Sequence, residues 1–315
     1  MLNKMKLLPH CPVKYGFDEN LPPLVSNANE GSFSISFDHR LWMFHRSWHP
    51  PLGVKVQATL MIVHGTVDHS GVYAELAQQL ALVGIAVFAL DMRGWGLSDG
   101  ESMYIDDMET FIADVDALYQ HVHSLSRYKT ITSRFLMGKS LGGTVTAFCV
   151  DKHPTHWTGI LGLSGAYQLD AKLAPSSIIM LLLKGLARLL PKLPFKPLFD
   201  EHLIVADEQA LQKWREDPLC CKDKIKLGYI VTIVDCLNKL AHSISAQINI
   251  PMLMMCGDAD QVVTLSGHEL MIKGNHHSDK QLKVYHKGYH NLLQEPAIKV
   301  QVMADVQAWI LLRSH

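Results

Sequence analysis

The chain has 315 residues, 48% of them hydrophobic, and a formal net charge of -1. That is ample apolar material for one large core, and so even a charge balance leaves no global field to attract nucleic acid. The six cysteines (Cys11, Cys149, Cys220, Cys221, Cys236 and Cys256) show neither zinc-ligand spacing nor a disulfide pattern. Met1 to Tyr15 lack the apolar core of a signal peptide, no N-x-[ST] sequon occurs, and no apolar run is long enough to span a bilayer. A reducing, cytoplasmic setting is the expectation.

In chain order, residues 1–30 are irregular and rich in Pro and Asn, which predicts a surface arm ahead of one domain spanning 31–315. Ser32 to Phe37 alternates apolar with polar, and Leu41 to Phe44 follows a polar interval, the pattern of an edge hairpin. Ala58 to Val63 is continuously apolar, which suits a strand buried on both faces, and it ends at His64 and Gly65. Tyr73, Leu76, Ala77 and Leu80 recur at helical spacing, with Gly84 as the stop, and Ile85 to Leu90 is the next buried strand.

The stretch from Asp91 to Ser98 contains G-x-G without the third glycine of a dinucleotide loop. A tight loop braced by Asp91 and Arg93 is expected there. Met108, Phe111, Ile112, Val115, Leu118 and Val122 form one helical face, opened by Asp106 and Glu109 in capping-box spacing. Further strands are expected at 134–138, 158–163, 251–256 and 281–285, with a closing helix over 296–312. The alternation breaks between about 168 and 230, which predicts an insertion. Strand–helix alternation means βαβ units and a mostly parallel sheet.

Chemistry concentrates at strand ends. Gly138, Ser140 and Gly142 make G-x-S-x-G where a strand turns sharply into a helix. Glycines two positions either side leave room for a strained serine standing clear of the sheet. The same residues imitate the tail of a phosphate-binding loop, but that motif needs glycine at Ser133 and an open loop, where the chain has bulky, strand-like residues. Later strands run into Asp258 and Asp260, and into His286 and His290. The order Ser, Asp, His suits a nucleophile, an orienting acid and a general base. Asp260 and His290 are the expected partners of Ser140. Backbone N–H groups of Leu141 and Thr66 are the expected oxyanion donors. His64 is expected to orient its loop. His121, His123, His276 and His277 read as solvated surface and not as metal ligands.

Five segments in this order resemble α/β-hydrolases: His64 to Tyr73, Asp91 to Ser98, Gly138 to Gly142, Gly257 to Asp260, and Gly288 to His290. The block His-Gly-x-x-x-His-Ser-x-x-Tyr is similar to that of the monoacylglycerol lipase and lysophospholipase branch. Asp217 to Lys222 is similar to plant and protist members near the end of their cap. The likeness covers about residues 30 to 312. It implies an α/β-hydrolase fold with a helical cap over about 168–230, no cofactor, and a single-chain lipid ester as substrate. Lys139 stands where His or Gln is commoner, and Leu141 where Met is.

Ser177 to Leu190 falls in the expected cap and is almost wholly apolar, with Lys184, Arg188 and Lys192 spaced four apart as a basic stripe. Two readings follow: a helix buried against the sheet, or a lid in peripheral contact with membrane. The functional expectation is a serine hydrolase of monoacylglycerol type. Lysophospholipids, short-chain esters or thioesters, and peptides are alternative substrates, and a non-catalytic receptor is a further alternative.

Overall fold

The computed structural model describes residues 32–35, 38, 40–168, 175–195 and 200–314. The expected arm over 1–30 lies outside the described residues.

One sheet of eight strands organises the chain, in the order β1-β2-β4-β3-β5-β6-β7-β8. β1 (Ser32–Ile35) and β2 (Trp42–Trp48) form the expected hairpin, and β2 continues antiparallel along β4 (Ile85–Leu90). From β4 onward every pairing is parallel, through β3 (Ala58–Val63), β5 (Arg134–Lys139), β6 (Gly159–Leu163), β7 (Met252–Gly257) and β8 (Lys280–Tyr285).

The apolar runs follow from the sheet being covered on both faces. Successive side chains of a strand point to opposite faces. In β3, Leu60 and Ile62 join the cluster beneath α1 (Ala74–Leu82) and α8 (Lys299–Leu311), with Leu76, Leu80, Val306 and Trp309. Met61 and Val63 join the opposite cluster, with Phe111 and Val115 of α2 (Met108–Ser124) and Val145 and Phe148 of α3 (Leu141–Lys152). The second layer also takes in Met271 of α7 (Leu265–Gly274).

Between β6 and β7 the alternation gives way to α4 (Ser177–Leu189), α5 (Glu208–Glu216) and α6 (Leu227–His242). α6 spans the expected end of the insertion near 230 and leads on to β7. The sequence pattern announces no helix over Leu227–His242, because no turn signal marks its start; Leu227, Tyr229, Val234, Leu237 and Leu240 are buried there. One cap also differs from expectation. Asp107, not Asp106, caps α2, because its carboxylate accepts from Glu109 N at 3.0 Å.

Candidate active site

Ser140 links β5 to α3 and holds φ 53°, ψ -120°, a left-side conformation that a side chain rarely adopts. Its neighbours show what maintains it. A side-chain carbon on Gly142 would overlap the carbonyl of Val63, and one on Gly138 would overlap the Gly142 carbonyl and Thr146. The turn is tied from both sides. Ser140 N donates to Leu163 O and Ser164 O at 3.2 and 3.1 Å, and its carbonyl accepts from Gly143 N and Ala166 N, each at 2.9 Å. The serine is 7% exposed.

Parallel pairing brings the other candidates to the same sheet edge. Lys139, the last residue of β5, is level with Leu163 of β6, and Gly257 of β7 is level with Tyr285 of β8. The turns after β7 and β8 are laced together by Asp258 N to Tyr285 O at 3.1 Å and Ala259 N to Gly288 O at 3.0 Å.

Both acid–histidine alternatives seen in the sequence exist as pairs, and burial separates them. Asp258 meets His286 Nδ1 at 2.9 Å with the histidine side chain 81% exposed. Asp260 meets His290 Nδ1 at 2.9 Å with the two side chains 3% and 1% exposed. Burial pushes the Asp260 carboxyl up. The His290 imidazole and the N–H groups of Val263 and Val262 outweigh that and hold it below the ordinary aspartate range. The carboxylate stays charged, which favours the Nδ1–H tautomer of His290 and leaves Nε2 with its lone pair.

The loop after β3 closes the other side. His64 Nδ1 donates to Gly65 O at 2.7 Å and His64 Nε2 accepts from Met92 N at 2.9 Å, so the ring orients the loop and is committed on both nitrogens. Trp95 Nε1 donates to Thr66 O at 2.5 Å. A methyl group on Gly65 would sit 3.0 Å from Ser140 Cβ, which puts Thr66 beside the Ser140 turn. Leu141 opens α3, where its N–H has no intrahelical acceptor to satisfy. Asp91 braces the neighbouring loop by accepting from Ser70 N and Leu97 N, and Arg93 forms a two-pronged bond to Asp114.

Several contacts lay beyond sequence reasoning. Lys139 meets Asp68 at 2.7 Å, with side chains 5% and 2% exposed. Burial raises the Asp68 carboxyl, and the Lys139 ammonium more than offsets it, so Asp68 stays ionised. The cation beside Ser140 is thus paired within the protein. Tyr229, in α6, places its hydroxyl 2.7 Å from Thr66 Oγ1. His123 is not solvated surface. It bonds Thr59 Oγ1 at 3.2 Å and Tyr119 O at 2.9 Å, and burial holds it down at about 4.

Among the described residues, two groups of metal-ligating atoms gather within 4.8 Å: His69, Asp217 and Cys220, and Asp116, His153 and His156. In the first, His69 Nδ1 accepts from Gly71 N, so Nε2 carries the proton and donates it to Asp217 at 3.0 Å. That ring is a structural tie. The second lies at the far end of α3 from Ser140.

The pattern of the family described as serine aminopeptidase, S33 matches residues 54–297. Rat monoglyceride lipase is 28% identical over 270 residues, covering 85% of this chain and 86% of that protein. Caffeoylshikimate esterase of Arabidopsis thaliana is 29% identical over 269 residues, covering 82% and 79%. Among solved structures, a soluble variant of Saccharomyces cerevisiae monoglyceride lipase in complex with a substrate analog superposes with a TM-score of 0.80. It is 20% identical and covers 96% of this chain and 99% of that one.

The buried pair generates a stability prediction. Lys139→Met strands the Asp68 carboxylate and is expected to cost about 3–5 kcal/mol in urea unfolding, while adding Asp68→Leu recovers most of the loss. Because Asp68 is held below its unfolded value, native stability from this pair is present at neutral pH and is lost as pH falls through the folded value. The double variant should lack that part of the acid sensitivity. An equally large loss in the double variant would contradict the ion-pair account.

Proposed function

The chain belongs to the serine aminopeptidase S33 family of α/β-hydrolases, and from that membership we propose a serine hydrolase that cleaves carboxylic esters of single-chain lipids. Monoacylglycerols are the first candidate substrates and lysophospholipids the second. The observation that supports the reading most is the strained Ser140 turn on the same sheet edge as the buried Asp260–His290 pair.

The chemistry follows from the groups. A serine hydroxyl is a weak nucleophile, so His290 Nε2 takes its proton as Oγ attacks the ester carbonyl. Asp260 stabilises the imidazolium that forms. The negative oxygen of the tetrahedral intermediate is received by the N–H groups of Thr66 and Leu141, donors that need no reorganisation because both backbones are pinned. Collapse expels the alcohol, protonated by His290, and leaves an acyl ester on Ser140. Water then attacks with His290 as base, releasing the fatty acid and restoring the serine. Every proton is returned, and no cofactor enters.

The insertion supports lipid over peptide or short ester. None of the α4 side chains is buried, and Ile178, Leu181, Leu182 and Leu189 are 75%, 72%, 68% and 80% exposed. The sequence alternative of a helix packed into the sheet therefore does not hold. Such an apolar face fits a lid in peripheral contact with a lipid surface. No helix among the described residues is long and apolar enough to cross a membrane. The basic stripe, by contrast, is mostly answered: Lys184 pairs with Asp235 at 2.8 Å and Lys192 with Glu101 at 3.1 Å. Contact should be driven by apolar burial more than by charge.

Two experiments test this. Fatty-acid release should be highest on long-chain monoacylglycerol in a panel with lysophospholipids, short esters and peptides, and should vanish with Ser140→Ala. A peak at acetyl esters or peptides would overturn the lipid assignment. Leu181→Ser with Leu182→Ser should lower partition onto phosphatidylcholine vesicles by about 10-fold or more, since each buried leucine is worth roughly 1.5–3 kcal/mol. Lys184→Gln should change it little. Unaltered partition of the leucine variant would remove the membrane contact.

A further inference from the structure

The hydroxyls of Thr66 and Tyr229 hold two protons between them, and among the described residues they make one hydrogen bond, to each other. Both residues are buried, at 3% and 4% exposure. Burial pushes the phenol up to about 12, so it stays protonated. A phenolic O–H is the stronger donor and an aliphatic hydroxyl oxygen the better acceptor, so Tyr229 donates and Thr66 accepts. With that direction, the Thr66 proton has no acceptor among the described residues. Accepting a bond polarises a hydroxyl and strengthens it as a donor.

The location gives that proton a use. Thr66 follows Gly65, at which an added side-chain carbon would lie 3.0 Å from Ser140 Cβ, and its N–H is one of the two oxyanion donors proposed for the reaction. Its carbonyl is pinned by Trp95. Its β-branched side chain has little rotamer freedom.

The phenol has a fixed root as well. Lys226 N donates to Met103 O at 3.1 Å and Gly228 N to Pro191 O at 2.8 Å, and a side-chain carbon on Gly228 would lie 2.6 Å from the Tyr104 ring. Two further ties join the insertion to the same loop: Trp214 Nε1 to Val67 O at 3.2 Å, and His69 to Asp217 at 3.0 Å.

We propose that the Thr66 hydroxyl is a third donor to the developing oxyanion, and that Tyr229 is the positioning residue through which the helical insertion frees and aims it. No bond to Tyr229 breaks in the cycle. The phenol keeps its proton, and the Thr66 O–H strengthens its hydrogen bond as charge develops and relaxes when the intermediate collapses. The inference rests on the hydrolase reading and adds to it a donor that is set by the insertion.

The test uses the full chain and a soluble p-nitrophenyl ester, with kcat, KM and Tm measured for Thr66→Val, Thr66→Ser, Tyr229→Phe and the double variant Thr66→Val/Tyr229→Phe. Loss of one oxyanion donor elsewhere costs ~10²–10³ in kcat, so an auxiliary donor at Thr66 should cost about 10–100-fold in Thr66→Val, with KM held within about twofold. Thr66→Ser should restore kcat to within about threefold of native. Tyr229→Phe should lose about 3–10-fold, and the double variant should be no slower than Thr66→Val alone, because both remove one function. A trifluoromethyl ketone that mimics the oxyanion should weaken in parallel with kcat/KM.

Native kcat in Thr66→Val, or losses that multiply in the double variant, would overturn the proposal and leave the contact a packing tie. Should Thr66→Val not fold, Tyr229→Phe against native carries the same decision. Native protein without turnover on any ester would instead sink the hydrolase reading itself.

Discussion

The close approach of α3 to β3 is the constraint on which the rest of the molecule depends. Only glycine at 142 lets the first turn of α3 lie on the Val63 carbonyl, and only glycine at 138 lets β5 end beneath that turn. The chain between them is forced into the left-side conformation at Ser140, at a cost of order 1–3 kcal/mol that the packed sheet over-determines. What the strain gains is position. The serine emerges at the edge where β5, β6, β7 and β8 all end, the same edge from which Asp260 and His290 follow β7 and β8. The same packing brings Gly65 against Ser140, which is why the proposed oxyanion donor is its neighbour Thr66.

Around that turn, burial assigns the work among similar groups. Asp258–His286 and Asp260–His290 share a length and a pairing geometry, yet one pair stands in water and the other is enclosed. An enclosed carboxylate held ionised by its partners can keep a histidine in one tautomer, whereas a solvated pair exchanges freely with water. Lys139 and Asp68 show the same logic used structurally. Each would be costly alone in so dry a place, and together they brace the loop that carries Thr66 against the strand that carries Ser140.

Much of this was legible in the sequence, and the limit has a physical cause. Two-sided burial makes β3, β4 and β7 read as apolar runs, and G-x-S-x-G with its later Asp and His marks a topology in which strand ends coincide. Local pattern carries no distance, however. Asp68 and Lys139 are 71 positions apart, and Thr66 and Tyr229 are 163 apart, so neither pairing leaves a trace in spacing. Composition also misleads about exposure. α4 is as apolar as a core helix and buries none of its side chains, while His123, polar by type, is held in a largely desolvated niche. Helix α6, which packs on α3 and α4, has nothing ahead of Leu227 to signal a helix start.

The central claim is that Ser140 forms an acyl ester as the product of His290-assisted attack. Its most direct test is to quench the protein during turnover of a slowly deacylating activated ester and map the modified peptide by mass spectrometry. The account predicts the acyl mass on the peptide carrying Ser140, and none in Ser140→Ala or His290→Ala. An adduct on another residue, or ester turnover that proceeds with no adduct and survives Ser140→Ala, would contradict it.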